Sequence, residues 1–338
     1  MLEISARFSG RQHFDMRLMD VCTISIPIPY ASGTVNVYFA EKPVPALIDL
    51  PPNEAHYCEQ LKNALRRQGY SLSRDIERVI VTHPHFDHCG LAGWIVEECG
   101  AEIWAFTGST RYLENFPEES KEDFAYYSSL LEKAGVPGRG SEYLEGFLET
   151  LLRLGSKARV SRYLKEGDEI AFGSTLFRAV HVPGHTPWCF MMYDAKKQIA
   201  FTGDFLIRDI SSNAVLQRPA IAGGGYKSLK SYISSLKKVR DLGVRTAFPG
   251  HGARIPDVSV RTGEILSSIQ DRRGLILSIL ARRRVCTPYE IMIDLFPDLS
   301  DWQILLGISE VIGHLELLEE ENMVHREEGI SLVFSRVP

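Results

Sequence analysis

Nothing in these 338 residues is long enough to span a bilayer. The longest aliphatic stretch, around Leu275 to Leu280, falls far short of the roughly 20 apolar residues required. Residues 1–20 carry Glu3, Arg7, Arg11, Asp15, Arg17 and Asp20 and lack the apolar core of a signal peptide, so they read as a polar leader. The six cysteines (Cys22, Cys58, Cys89, Cys99, Cys189 and Cys286) contain no C-x-x-C pair and are too sparse for a disulfide framework. That predicts free thiols in a reducing compartment, the cytoplasm by default. No internal repeat and no low-complexity segment is present, which excludes solenoids and disordered tracts. An excess of positive charge is lacking too: a net charge of -5 gives no overall field to hold nucleic acid or an anionic bilayer. There is no G-x-S-x-G nucleophile elbow and no G-x-x-x-x-G-K phosphate loop.

What remains is an ordinary globular composition, 44% hydrophobic and 24% charged, in a chain long enough for one large domain and a small one. Short strand-like runs, CTISIPIPY (22–30), TVNVYFA (34–40) and PALIDL (45–50), precede a helix at 54–68 that stops at Gly69. RVIVT (78–82) is a continuous β-branched run, suited to a strand buried on both faces. A helix at 90–99 leads into AEIWAF (101–106). Residues 109–157 are Glu-rich, aromatic and helix-prone, and read as a helical insertion. Short strands return over 159–203, followed by a helix at 228–241 and TAFPG (246–250). Strands at both ends with helices between them predict a layered α/β (α+β) sandwich over 21–262.

The texture changes again near residue 263. Thr287-Pro288-Tyr289-Glu290 and Ser300-Asp301-Trp302-Gln303 both read as capping boxes, and Leu305, Ile308, Ile312 and Leu315 share a helical face. MVHR (323–326), a turn at Glu327-Glu328-Gly329 and ISLVF (330–334) read as a β-hairpin. Helices followed by a hairpin over 263–338 is the plan of a small winged-helix-like domain.

Chemistry concentrates at His83-Pro84-His85-Phe86-Asp87-His88, directly after RVIVT. His185 in VPGHT, Asp204 in FTGD and His251 in PGHG each lie just past an apolar strand, beside glycine that permits a tight turn. Strand ends are where α/β sheets collect ligands. Imidazole and carboxylate hold zinc, iron or manganese, and three protein ligands plus water make an open catalytic site. Seven such groups exceed what one metal takes and suit a pair that shares one carboxylate.

This set resembles the metallo-β-lactamase superfamily, in its glyoxalase II-like, dinuclear hydrolase branch, over about residues 20–260. The resemblance implies a four-layer αβ/βα sandwich with the site at the sheet edges. It also implies two divalent metals, zinc foremost with iron or manganese as alternatives. By the resemblance His83, His85 and His185 hold one metal, Asp87, His88 and His251 hold the other, and Asp204 bridges them. Asp87 and Asp204 would then orient a metal-activated hydroxide that cleaves a thioester or ester. The C-terminal segment resembles the winged-helix extension of some members.

Substrate contacts do not carry over. β-Lactamases commonly place cysteine where Asp204 stands. The stretch GDFLIRDISSNAV (203–215) lacks the Cys-Gly-Lys/Arg-x-Tyr run by which glyoxalase II holds glutathione, and Ile207 stands where quorum-type lactonases have tyrosine. Asp49 is followed by Leu50-Pro51-Pro52 where the family has Thr-Gly, yet it is placed to accept a hydrogen bond from a ligand histidine. His181 shares a strand face with His185 and reads as a core or supporting histidine.

The aromatic insertion, with Tyr126 and Tyr127 near its middle, reads either as a lid over the cleft or as packing. In 265–338 seven arginines face twelve carboxylates, a net -5 that opposes phosphate contact. That segment is therefore expected to form a cleft wall or a homodimer contact. Nucleic-acid binding or phosphodiester cleavage, resting on Arg282-Arg283-Arg284, is an alternative; single-iron persulfide oxidation is another. The leading expectation is a cytoplasmic metal-dependent hydrolase of a small acyl thioester or ester.

Overall fold

The computed structural model describes residues 20–29 and 33–337, so the leader expected at 1–20 lies, Asp20 apart, outside the described residues. Strands β1 (Val21–Pro27), β2 (Thr34–Ala40), β3 (Ala46–Ile48), β4 (Arg78–Val81), β5 (Glu102–Phe106) and β6 (Arg162–Leu164) make a six-stranded sheet in sequential order. The first three pair antiparallel and the last four parallel. The β-branched run of β4 lies at the centre, as its unbroken burial demands. Val79 and Val81 pack among the residues of α1 (Ala55–Arg67) and α3 (Ala92–Cys99) such as Leu61, Leu65 and Ile95. Ile80 points the other way, into the space between the sheets.

The second sheet runs β11-β10-β9-β8-β7, built from β7 (Glu169–Phe172), β8 (Thr175–His181), β9 (Phe190–Asp194), β10 (Ile199–Gly203) and β11 (Thr246–Pro249). Its inner face offers Phe172, Phe177, Phe190 and Phe201 to Tyr38, Ile48 and Trp104 of the first sheet. The other face is covered by α8 (Ser228–Asp241) and the start of α9 (Val258–Arg283), through Tyr232, Leu236 and Ile265. Helix, sheet, sheet, helix is the four-layer arrangement expected. Both sheets end their strands along one edge, where the polar loops gather.

Between β5 and β6 stand α4 (Thr110–Glu114), α5 (Phe116–Lys133) and α6 (Glu145–Leu154), the expected helical insertion; the one-turn α2 (Phe86–Cys89) precedes α3, and the short α7 (Pro219–Ala222) precedes α8. After α9 come β12 (Val285–Cys286), α10 (Pro288–Leu295), α11 (Gln303–Glu320), β13 (Val324–Glu328) and β14 (Leu332–Arg336), the strands pairing in the order β12-β14-β13. Leu131 and Ala134 of α5 share one core with Ile276, Leu280, Ile291, Ile308 and Phe334. The insertion and the C-terminal segment are therefore packed together as one body of side chains. The division expected at 262/263 falls inside α9. Its early residues Ile265 and Ile269 pack on the sandwich, and its later ones, Ile276, Ile279 and Leu280, on the C-terminal core.

The box Thr287–Glu290 forms as expected, with Glu290 N–H on Thr287 Oγ1 at 3.2 Å and Thr287 N–H on Glu290 Oε2 at 2.8 Å. The box at Ser300 does not. Asp301 takes a left-handed φ of 50°, α11 begins only after Trp302, and the Ser300 hydroxyl turns to Asp301 instead. The hairpin turn also sits two residues later than expected, at Gly329–Ser331, because Glu328 still pairs with Leu332.

Candidate metal centre

Every expected ligand sits where a strand gives way to a loop at that shared edge. His83 and His85 follow β4, Asp87 and His88 ride on α2, His185 lies between β8 and β9, Asp204 follows β10 and His251 follows β11. The structure brings all seven together. His83, His85 and His185 form one group and Asp87, His88 and His251 another, each with ligand atoms within 4.8 Å of one another. Asp204 touches both groups: its carboxylate is 3.1 Å from His251 Nε2, 3.3 Å from His88 Nε2 and 3.8 Å from His185 Nε2. His83 and His88 are fully buried, whereas His85 and Asp87 are partly open to the cleft.

The hydrogen bonds on the outer side of the imidazoles decide what faces inward. His185 Nδ1 meets the Asn213 carbonyl at 2.9 Å and His251 Nδ1 meets the Thr34 carbonyl at 2.6 Å. A carbonyl only accepts, so both Nδ1 atoms carry the proton. His88 Nδ1 lies 2.9 Å from Asp49 Oδ2 and donates to it for the same reason. Thr82 Oγ1 gives its own proton to Asp49 Oδ2 at 2.8 Å, so it accepts from His83 Nδ1 at 3.1 Å. Four imidazoles thus direct Nε2 inward, the atom left to take either a cation or a second proton. His88 Nε2 and His251 Nε2 face each other at 3.1 Å, and His83 and His185 Nε2 stand 3.1 and 3.0 Å from His85 Nδ1. Asp204 Oδ1 is buried beside them without a hydrogen-bond donor. Lone pairs and carboxylates converging in this way repel one another unless a cation lies among them, so the donor set fits divalent metal.

Protonation follows the same electrostatics. Burial pushes His83, His85 and His185 down, His85 to about 3, so they stay neutral. Burial opposes charge at His88 and His251 as well, but Asp204 and Asp87 outweigh it: His88 is raised and His251 reaches about 10. Asp87 and Asp204 feel burial upward and these two imidazoles downward, and the imidazoles win, leaving Asp87 near 2 and Asp204 well below its ordinary range. Protons and metal therefore compete for the lone pairs of His88 and His251.

Asp49, buried on β3's exit at a left-handed φ of 59°, also accepts the Thr82 amide at 2.8 Å, so one carboxylate sets two imidazoles. His181 does not share a strand with His185, because β8 ends at His181 and His185 stands in the loop beyond; its Nε2 donates to the Pro187 carbonyl at 2.7 Å and its ring stacks on Phe106 rather than on a candidate ligand. Residues that the sequence reading missed hold the His251 loop. Asn36 Nδ2 donates to the carbonyls of Pro249 and Gly252 at 3.0 and 2.9 Å, and Tyr38 Oη donates to Pro249 at 2.6 Å. A polar residue inside the apolar run TVNVYFA was the available signal.

The centre opens into a cleft of about 370 Å³. Tyr112, Phe116, Phe124, Tyr127 and Phe147 of the insertion line it, joined by Trp188 and Ile207 and, across from the insertion's helices in sequence, by Trp302, Leu305 and Leu306. The C-terminal segment is therefore a cleft wall. Tyr127 donates to the Leu216 carbonyl at 2.9 Å. Tyr126 is not among the lining residues: on α5 it is turned about 100° around the helix from Tyr127, whose ring it meets at 5.2 Å, and toward Glu316. All six cysteines are free thiols, and no helix among the described residues is long and apolar enough to cross a membrane.

Comparison with known proteins places this geometry. A family model described as the Metallo-beta-lactamase superfamily matches residues 54–251, from α1 to the last of the seven residues. A probable metallo-hydrolase of Bacillus subtilis, YqjP, is 28% identical over 313 residues, covering 91% of this chain and 95% of that protein. The hydroxyacylglutathione hydrolase GloC of Haemophilus influenzae is 26% identical over 163 residues, covering 48% of this chain and 62% of its own. Among solved structures, the metallo-beta-lactamase family protein TTHA1429 of Thermus thermophilus superposes with a TM-score of 0.80 at 26% identity, covering 94% of this chain and 99% of that one.

Proposed function

This chain belongs to the metallo-beta-lactamase superfamily, and from that premise we propose that it is a dinuclear metal-dependent hydrolase of a thioester or ester. The observation that carries the proposal is the double triad with Asp204 in contact with both halves, opening on an apolar cleft. His83, His85 and His185 would hold one ion, Asp87, His88 and His251 the other, and Asp204 would serve both; zinc suits the nitrogen-rich set. Such ions turn water into a nucleophile at neutral pH and polarise the carbonyl under attack.

The rest falls to the chain's own residues. Asp49 and the carbonyls of Asn213 and Thr34 keep the imidazole protons on the outside. Asp87 and Asp204, held ionised, are available to accept hydrogen bonds from an attacking water and so fix its direction. Phe116, Tyr127 and Trp188 keep bulk water from the acyl group. The similarity to a hydroxyacylglutathione hydrolase supports an acyl substrate of this kind.

We read the order α9, β12, α10, α11, β13, β14 as winged-helix-like, serving here as a wall of the cleft. The six free cysteines fit a reducing compartment, the cytoplasm. Of Arg282, Arg283 and Arg284, on which nucleic-acid binding would depend, the first two pair with Asp294 at 2.9 and 2.6 Å, which reduces the positive charge they offer a phosphate.

The test is thiol release by zinc-replete protein across acyl thioesters, with His85→Ala as background. Turnover lost in the variant is expected. Failure on every thioester and ester would overturn the proposal.

A further inference from the structure

Apart from the imidazoles of the candidate metal centre, the described cleft walls carry no basic side chain. Among the described residues that line it there is neither lysine nor arginine. Asp123, a lining carboxylate outside the ligand set, is engaged by Arg218 at 2.9 Å and by the Tyr112 hydroxyl. Arg218 itself is buried and held by Glu119, Glu122 and Asp123, so its charge is turned away from any guest. Phosphates and carboxylates are recognised by arginine, lysine or backbone amides arrayed for them. A nucleotide, a nucleic-acid backbone or the two carboxylates of glutathione would find no such side chain on these walls.

Aromatic and aliphatic surface is abundant instead, and it comes from two separate parts of the chain. Phe124, Tyr127 and Phe147 belong to the insertion; Trp302 and Leu305 belong to the C-terminal segment. Phe147 and Trp302 stack face to face, with ring centroids 5.0 Å apart and planes 10° apart, so each ring fixes the other where both line the cleft.

We propose that the substrate is an ester or thioester whose acyl half is large, uncharged and apolar, and that the Phe147–Trp302 pair is the surface that selects it. This rests on the hydrolase reading and narrows it to a substrate class. Water's oxygen bonds to the acyl carbon, and the C–S or C–O bond breaks with its electron pair leaving on sulfur or oxygen. Water's protons end on the leaving group and in solvent, so no redox partner enters. Recognition lies in the acyl half, and the leaving group can be small.

The experiment uses the metal-replete full chain with N-acetylcysteamine thioesters, whose leaving group is small and neutral, carrying acetyl, octanoyl and phenylacetyl groups. Each seated methylene contributes about fourfold, so kcat/KM for octanoyl should exceed that for acetyl by at least about 100-fold. Trp302→Leu should lower the octanoyl value at least about tenfold more than the acetyl value. Turnover that ignores acyl size, or a preference untouched by Trp302→Leu and Phe147→Leu, would overturn the inference while leaving the hydrolase reading in place. Absence of turnover throughout would defeat the hydrolase reading. Binding of octanamide, followed by tryptophan fluorescence, then judges the cleft separately. Saturable binding weakened in Trp302→Leu supports the apolar acyl site, and no binding overturns it.

Discussion

Asp49→Asn changes one oxygen to an amide nitrogen in the layer behind the proposed metal ligands. Asparagine keeps the side chain's size and tolerates the left-handed backbone at this position. Asp49 accepts three hydrogen bonds, from the Thr82 amide on Oδ1 and from Thr82 Oγ1 and His88 Nδ1 on Oδ2. With the amide nitrogen placed at the Oδ2 position, it donates to His88 Nδ1. The imidazole proton must then move to Nε2, where it covers the lone pair that faces His251 and Asp204. With the amide turned over, its N–H groups oppose the Thr82 N–H at 2.8 Å. Either way one charge-assisted hydrogen bond inside the core is lost, worth about 1.5–3 kcal/mol. Metal affinity should fall about 10–100-fold, the usual consequence of removing an outer partner of a ligand histidine. Competition against a chelating dye measures the affinity, and thermal melting of the metal-free protein measures the stability. Equal affinity, equal metal content and an unchanged melting temperature would refute the tautomer reasoning.

Gly250→Ala places a Cβ 2.6 Å from both Asp204 Oδ1 and His88 Cε1, so metal content should drop sharply by elemental analysis while far-UV circular dichroism stays native. Arg218→Met leaves Glu119 and Asp123 without their buried cation; a loss of about 3–5 kcal/mol by urea unfolding is expected. Glu316 is raised by burial to about 7 in the fold, above its unfolded value near 4.5. Its contribution to stability is thus present below about pH 4.5 and lost as pH rises to 7. Glu316→Gln should remove that slope and gain on the order of 1–2 kcal/mol at pH 8, after allowing for partial exposure; equal pH profiles of melting in the two proteins would contradict the assignment.

The candidate ligands were legible because the fold writes them in a simple grammar. An apolar strand ends, glycine or proline turns the chain, and a polar group is left at the sheet edge. Local pattern suffices to find each of the seven. Helix starts were legible where two side chains reciprocate within one turn, as at Thr287 and Glu290, and misleading at Ser300, where the left-handed Asp301 breaks the same motif. Asn36, Tyr38 and Asn213 act through partners up to more than two hundred positions away, so no local window reveals them. Trp302 was read as part of a capping box, yet its ring faces Phe147 on α6; only the packing of α5 and α6 against the start of α11 makes it a cleft residue. The same packing turned Tyr127 toward the cleft and Tyr126 away from it.

The wall formed by Trp302, Leu305 and Leu306 has a consequence for the chain as it leaves the ribosome. His251 is the last of the seven clustered residues along the chain, and the wall begins about fifty positions later, at Trp302. A nascent chain therefore carries all seven candidate ligands before it carries Trp302, Leu305 and Leu306. Because α9 runs unbroken from the sandwich core into the later core, it fixes where α10 and α11 stand against the open side of the cleft.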